Sequence, residues 1–335
     1  MAILRPILIV IVFWLVSVSS FASKQNVVRF ATVAPHGSPW SEEIIRTSQE
    51  MLKKTNGKLY LKVYDSMKMG DEPDYLRKMR SGQLHSASFT GYGLSLVDKS
   101  VLVMELPFVF RDRKEADYVY EKMFPFFAKR FKNKGLILLN FTTYGDVNFI
   151  TTKPIQKLND FPNIKMWAWE GDPLIENFFK ALNIPTISLP ITEVLTGLQT
   201  GMVEGVYAPP LASVAFQWWT KTNYISSPPF RSGVLAFMVT DKKWNSLTPN
   251  EKELVKNLLK NTANNISTIG KKDNEEALQV LLKNNQKLVP MEKENLAQFV
   301  DFSKTFRKDM VGKIYDQAAL TELEKQIASY RSQKN

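Results

Sequence analysis

The sequence predicts an α/β protein of two lobes, with helices on both faces of mixed, mostly parallel sheets. In the first half of the chain, short apolar runs alternate with helical patterns, which is typical of parallel βαβ units. The C-terminal part shows long helical patterns instead, the first over about 248–285. The 335 residues are enough for two hydrophobic cores.

The first lobe begins with a strand over about 27–32 and a helix that follows it. Ser38 is a typical helix N-cap, Pro39 suits the first helical position, and Gly57 marks the end of this helix. Further elements are then predicted: a strand over 58–64, a helix over 73–80, and strands over 84–89 and 136–144. The polar and apolar residues of 58–64 alternate as in a half-buried strand.

The chain is expected to cross into a second lobe near Gly145-Asp146. The pattern there predicts strands over 147–152, 164–169, 184–189 and 202–207, and helices from Asp172-Pro173 and over 192–200. An apolar strand over 232–240 leads back to the first lobe, and helices near 292–307 and 316–329 follow the long one.

These crossings divide the chain into interleaved lobes. Residues 23–146 and about 232–275 form lobe one, and residues 147–231 and about 276–335 form lobe two. The cleft between two such lobes is the natural place for a ligand.

The first 22 residues have the composition of a secretory signal peptide. Arg5 supplies the positive charge, an apolar segment runs from Pro6 to Val18, and Ser20-Phe21-Ala22 is typical of a cleavage site. An uncleaved membrane anchor is the alternative, but the apolar segment is shorter than the roughly 20 residues that span a bilayer. We therefore expect export, with cleavage near Ala22.

Charge and cysteine content exclude several classes of protein. The net charge is +11, and the basic residues are interspersed with acidic ones. No arginine-rich tract or RNA-binding motif is present, so we expect no nucleic-acid partner. The chain contains no cysteine, which excludes disulfides, a thiol nucleophile and a lipid-modified N-terminal cysteine.

Residues suited to catalysis or metal binding are few. The two histidines, His36 and His85, have no partner at metal-ligand spacing. The Gly91-Tyr92-Gly93 segment lacks the third glycine of a dinucleotide fingerprint. We expect no cofactor, no metal and no catalytic residue; an enzyme on this scaffold would have only Glu170 and His36 as an acid–base pair.

Short sequence blocks follow one another in a specific order along the chain. They include Phe30-Ala31-Thr32, Gly37-Ser38-Pro39-Trp40, Arg80-Ser81-Gly82-Gln83-Leu84, Glu105-Leu106-Pro107-Phe108-Val109-Phe110 and Leu198-Gln199-Thr200-Gly201-Met202-Val203-Glu204-Gly205. In order and spacing these blocks resemble the solute-binding proteins of TRAP transporters, the dicarboxylate-binding, DctP-like family. The resemblance extends over nearly the whole mature length.

That resemblance implies a periplasmic binding protein fold and a function in transport. Its two lobes would close on a small-molecule ligand and deliver the ligand to membrane permease subunits, without catalysis. A monomer is expected, with a dimer as the alternative. A receptor or a carrier of hydrophobic ligands, working without a permease, is the other functional class that we consider.

Three positions differ from the pattern that the resemblance implies. Family members typically carry, at the position of Trp167, an arginine that pairs with a substrate carboxylate. A second basic residue corresponds to Asn148, and a family asparagine corresponds to Ala208. We therefore predict an atypical pocket that contains no arginine.

The candidate ligand-binding residues are mostly aromatic. Trp167 and Trp169 lie two apart on one predicted strand, so their side chains point to the same side, and Tyr207 follows on another. The further candidates are Glu170, Asn148, Ala208, Pro209, His36, Trp40, Phe89, Tyr92 and Phe108, whereas Trp218-Trp219 is expected to pack between the lobes. Aromatic rings attract apolar groups and organic cations, so an apolar, aromatic or cationic ligand is favoured over a small dicarboxylate.

Overall fold

A computed structural model describes residues 25–333, which fold into eleven strands surrounded by helices. The strands are β1 Asn26–Ala31, β2 Leu59–Tyr64, β3 Ser86–Thr90, β4 Leu136–Leu138, β5 Thr142–Thr151, β6 Met166–Trp169, β7 Thr186–Leu189, β8 Gly205–Ala208, β9 Tyr224–Ser227, β10 Arg231–Thr240 and β11 Lys287–Pro290. The predicted α/β class is confirmed. The signal peptide predicted for residues 1–22 lies outside the described residues.

The helices differ widely in length, from single turns to 35 residues. They are α1 Pro39–Lys54, α2 Glu72–Arg80, α3 Gly91–Ser95, α4 Arg113–Lys132, α5 Pro173–Ala181, α6 Val194–Gln199, α7 Pro210–Ala215, α8 Asp241–Asn245, α9 Pro249–Lys283, α10 Lys293–Asp309 and α11 Gln317–Ser332. Short 3₁₀ helices span Lys99–Glu105, Leu158–Asn163, Ile191–Glu193 and Trp218–Lys221.

The strands form two half-sheets that share β5. The main order is β2-β1-β3-β10-β5-β8-β6-β7. Residues 142–147 of β5 pair with β10, and residues 148–151 pair with β8. We call β2, β1, β3, β10 and β4 the first half-sheet, and β8, β6, β7, β9 and β11 the second half-sheet. The limits of the two lobes remain a prediction.

Local sequence signals explain why several helices begin where they do. The Ser38 side chain accepts a hydrogen bond from the Ser41 amide (3.3 Å), as an N-cap should. One carboxylate oxygen of Asp172 accepts from two amides at the start of α5. The long helix α9 begins with a capping box, in which Thr248 and Glu251 each accept from the other's amide. These predicted helix starts are confirmed.

The predicted strand over 136–144 is two strands in the structure. The backbone leaves the ladder after β4, where the Asn140 side chain accepts from the Phe237 amide (3.0 Å). The side chain thus replaces a backbone acceptor, and β5 starts two residues later. The twenty-residue helix α4 was not predicted; its sequence contains Pro125, which normally interrupts a helix.

Two layers of apolar side chains cover the sheet. Helices α1 and α9 pack on one face of the first half-sheet, around Phe30, Ile44 and Phe237. A larger core extends from the first half-sheet into the second. Its centre includes Phe149 and Phe230, whose rings stack with centroids 4.1 Å apart. This continuous core fixes the positions of the strand ends that surround the site described next.

Candidate functional site

A cavity of about 70 Å³ lies where the carboxyl ends of parallel strands from both half-sheets meet. Val33 follows β1, Thr90 ends β3, Trp169 ends β6 and Ala208 ends β8. Ligands of open α/β sheets bind at such strand ends. The volume is comparable with that of roughly two water molecules in the liquid, so a larger solute requires the surrounding walls to move apart.

Aromatic rings form most of the cavity wall. Trp167 stacks on Tyr207, with centroids 4.9 Å apart and an interplanar angle of 18°. Trp169 lies 5.7 Å from Trp167 and 4.8 Å from Tyr92. The two tryptophans therefore lie on the same side of β6, as predicted. Trp218 packs against Trp167 in a T-shaped arrangement, with ring centroids 5.4 Å apart.

Hydrogen bonds hold these rings in place. The Trp167 Nε1–H donates to the Leu189 carbonyl (2.9 Å). The Trp169 Nε1–H donates to Oδ2 of Asp71 (2.8 Å), and its backbone amide donates to the Tyr207 hydroxyl (3.1 Å). Because the indole N–H groups are satisfied, the rings present only apolar faces to the cavity.

Two hydrogen bonds join β6 and the residue after it to helices that flank the first half-sheet, across the cavity. Trp169 of β6 donates to Asp71, which is the N-cap of α2. The Tyr92 hydroxyl of α3 donates to the Glu170 carbonyl (2.6 Å). We call these two hydrogen bonds the closing contacts. They hold the walls of the cavity together in the conformation seen here.

A single arginine, Arg231 at the start of β10, lines the cavity. Its side chain is only 4% exposed, and its Nη1 lies 3.0 Å from Oε2 of the fully buried Glu105. The guanidinium carbon lies 5.1 Å from the ring centre of Tyr207. The cavity thus contains a guanidinium, but it comes from a different strand than the one that carries Trp167. The absence of the usual ligand-binding arginine stays a prediction.

The Arg231 guanidinium retains unused hydrogen-bonding capacity. Among the described residues, neither its Nε nor its Nη1 has a hydrogen-bond partner of good geometry, and the Nε1 of Trp40 also lacks one. Burial opposes the positive charge, but Glu105, Tyr144, Asp172 and Tyr207 together more than offset this, and the pKa of Arg231 lies above its ordinary value. Arg231 is thus a permanently charged donor at the edge of an aromatic cavity.

Two further buried acids lie near the site. Burial raises the pKa of Glu72 to about 8, and the neighbouring Asp71 adds to the effect. Burial also raises the pKa of Asp172, against the opposing influence of Arg231. Glu72 accepts from the amide and the hydroxyl of Thr90. It therefore supports the end of β3 from behind rather than facing the cavity.

The structure brings seven of the twelve predicted ligand-binding residues together on the cavity wall. They are Trp167, Tyr207, Trp169, Ala208, Pro209, Trp40 and Tyr92. Ligand binding by these residues remains a prediction.

Five predicted residues lie elsewhere. Glu170 has an exposed side chain and contributes its carbonyl to the closing contacts. Asn148 donates to a backbone carbonyl of β9 (2.7 Å). His36 is an exposed surface residue in contact with an aspartate. Phe89 is fully buried in the core behind the cavity, and Phe108 packs on two core phenylalanines. Strand-end positions alone did not show which way these side chains point.

Several lining residues were missed by the sequence reasoning. These are Arg231, Glu105, Tyr144 and Phe216, together with Trp218, which was expected only to pack between the lobes. One signal was available for Arg231: it is the only charged residue in the ten-residue, mostly apolar segment of β10. No comparable signal distinguished Tyr144 or Phe216 from core aromatics.

Residues 25–333 show neither a membrane-spanning helix nor a metal-binding cluster. In this part of the chain, no helix has the length and apolarity that crossing a membrane requires. The same residues contain no group of three or more histidine, aspartate or glutamate side chains placed to hold a metal ion.

A two-lobed α/β fold with a cavity at the strand ends between two half-sheets defines the class of solute-binding proteins. The profile of the bacterial extracellular solute-binding protein family 7, DctP, matches residues 30–313. The chain belongs to this family, which is one of binding proteins rather than enzymes.

Other proteins resemble this chain in sequence or in structure. An uncharacterized protein of Haemophilus influenzae is 27% identical over 62% of this chain, and the chain spans 64% of it, less than two thirds. The C4-dicarboxylate-binding periplasmic protein DctP of Rhodobacter capsulatus is 23% identical over 76% of this chain and 77% of its own length. A crystal structure of the sugar acid binding protein DctPAm from Advenella mimigardefordensis, in complex with galactonate, superimposes with a TM-score of 0.86. It is 21% identical and covers 91% of this chain and 99% of its own. This likeness confirms the fold.

Proposed function

We propose that the chain is the periplasmic solute-binding component of a TRAP-type secondary transporter. It captures a small solute by closure of two lobes and delivers it to permease subunits in the membrane. Membership of the DctP family and the fold shared with the sugar acid binding protein support this proposal. Export, with cleavage of the signal peptide near Ala22, is part of it.

The ligand that this cavity suits is an acid with one carboxylate on a flat aromatic or apolar body. The observation that carries this inference is the combination of an aromatic wall with a single buried guanidinium that has unused donors. The stacked faces of Trp167 and Tyr207 stabilise an apolar body by roughly 25 cal/mol per Å² buried. The Nε–H of Arg231, which has no hydrogen-bond partner among the described residues, supplies a donor for a carboxylate.

The charges at the site disfavour other ligands. Glu105 already balances part of the charge on Arg231. The second carboxylate of a small dicarboxylate would lose its hydration without gaining a cation, which is costly. The positive charge of Arg231 would repel an organic cation. A cationic ligand, one of the classes predicted from the sequence, is therefore disfavoured. The Rhodobacter and Advenella relatives bind acids, in keeping with an acidic group on the ligand.

Calorimetry with a matched set of compounds tests the ligand class. The purified protein would be titrated with benzoate, its neutral amide, succinate and a quaternary ammonium compound. We expect benzoate to bind more tightly than the amide, and no measurable binding of the other two. Tighter binding of succinate or of the ammonium compound than of benzoate would contradict the proposed ligand.

A pair of tryptophan variants tests the place of binding. Trp167→Ala should abolish benzoate binding while the protein remains folded, because the stacking surface is lost. Trp244→Ala is the matched control, since Trp244 packs on the core of the first half-sheet away from the cavity. Equal loss of binding in both variants would indicate a general effect on the fold and not a ligand contact.

A further inference from the structure

A second, larger concavity lies on the first half-sheet, at the ends of its strands opposite to the aromatic cavity. Its volume is about 810 Å³, within the range of small-molecule sites. It is bordered by the end of α2, the residue before β3, the start of β4 and the end of β10. The aromatic cavity lies at the other ends of β1 and β3, so the two sites are separated by the length of the strands.

The lining of this concavity is basic. It contains five basic side chains, Arg29, Arg80, Lys134, Lys242 and Lys243, together with His85. None of the lining residues is an aspartate or a glutamate. We call this surface the basic cleft.

The cations of the basic cleft are almost without acidic partners. Arg29 donates to the carbonyls of Gln83 and Gly82 (2.5 Å each). Lys134 donates to a carbonyl and lies 3.7 Å from Asp98, which is itself paired with an arginine at 2.6 Å. These neutral or shared acceptors leave most of the positive charge uncompensated.

Arg80 and Lys242 are the least engaged of the five. Both are exposed, and within residues 25–333 neither makes a side-chain hydrogen bond or an ion pair. Their donors therefore face the open cleft and are available to a ligand.

The pKa shifts of two neighbouring groups agree with an uncompensated positive charge in the basic cleft. Burial, with the positive charges of Arg29 and Lys243, lowers the pKa of His85 to about 4. His85 is thus neutral at pH 7, and its Nε2 lies 2.6 Å from Nη2 of Arg29 as an acceptor. Burial and Arg29 also lower the pKa of Lys243.

We propose that the basic cleft binds a phosphate-bearing ligand at a site distinct from the aromatic cavity. Arginine side chains bind phosphate oxygens through two N–H groups at once, and lysines add point charge. Five cations without lining acids suit the two or more negative charges of a phosphate group better than a single carboxylate. The phosphate belongs either to a soluble compound or to the headgroup of a membrane lipid.

Two binding measurements distinguish these sources. Inorganic pyrophosphate is titrated into the purified protein by calorimetry, and the protein is sedimented with vesicles of phosphatidylglycerol or of phosphatidylcholine. Pyrophosphate binding that weakens with salt, without vesicle binding, supports a soluble ligand. Binding to phosphatidylglycerol vesicles that pyrophosphate competes away supports a lipid headgroup.

Charge reversal locates the binding. The double variant Arg80→Glu with Lys242→Glu should weaken binding by about tenfold or more, with little effect on folding because both side chains are exposed. Lys180→Glu with Lys221→Glu changes the net charge equally on exposed positions of the other half of the molecule. The proposal is overturned if neither probe binds, or if both double variants lose binding to the same extent.

Discussion

Removing one closing contact should shift the protein toward an open form. Trp169→Phe keeps an aromatic ring, though a smaller one, next to Tyr92, but the Nε1–H that donates to Asp71 is lost. A hydrogen bond to a charged group contributes about 1.5–3 kcal/mol. Asp71 keeps the amide of Glu72 as a donor, so we take the lower value, about 1.5 kcal/mol. The ratio of closed to open protein should therefore fall about tenfold.

The absence of cysteine makes this shift measurable. Spin labels on cysteines introduced at Lys53 in α1 and Lys180 in α5 report the distance between the two halves, with no background labelling. Trp169→Phe should move the distance distribution toward longer values. Tyr92→Phe removes the other, neutral closing contact and should have a smaller effect, with the largest shift in the double variant. Identical distance distributions in the double variant and the parent protein would show that these two contacts do not hold the closed form.

Three further predictions concern stability. The pKa of Glu72 is raised from 4.5 to about 8 in the folded protein. Between these pH values the Glu72 carboxyl stays protonated in the folded protein but is ionised in the unfolded chain. The free energy of unfolding should therefore fall by about 1.4 kcal/mol per pH unit as the pH rises through this range. Denaturant titrations should show that Glu72→Gln flattens this dependence; an unchanged slope would mean that Glu72 ionises normally. Thr248→Ala removes the capping box of α9 and should cost about 1 kcal/mol in the same titrations, whereas exposed Thr192→Ala, as a control, should cost less than half as much. Gly205→Ala would place a methyl group 2.8 Å from Cγ2 of Thr151 and against the Met166 sulfur, so its melting temperature should drop by several degrees; an unaltered melting temperature would show that β8 adjusts freely.

Helices whose first residues carry a capping signal could be predicted from the sequence. The starts of α1, α5 and α9 follow from Ser38, Asp172 and Thr248, because a capping side chain needs only the amides of the next few residues. Helix α4 was not predicted, and it contains Pro125, which local rules disfavour inside a helix. The packing of α4 on neighbouring strands and on α11 outweighs the lost backbone hydrogen bond.

The candidate site could be predicted only in part. The pairing of Trp167 with Trp169 follows from the two-residue period of a strand. Arg231 could not be assigned to the cavity in the same way, since it is distant in sequence and reaches the site only because β10 pairs with both β3 and β5. Which of two buried faces a side chain occupies depends on such long-range pairings.

The position of β10 between β3 and β5 also bears on the order in which the chain can fold. Synthesis proceeds from the N-terminus, so β1, β2 and β3 are made early. Strand β10, which lies between β3 and β5 in the sheet, begins only at Arg231. The edge of β3 therefore stays unpaired until most of the chain is available. Exposed strand edges associate readily with other chains. The edge of β3 is thus open to such association until β10 is available to pair with it.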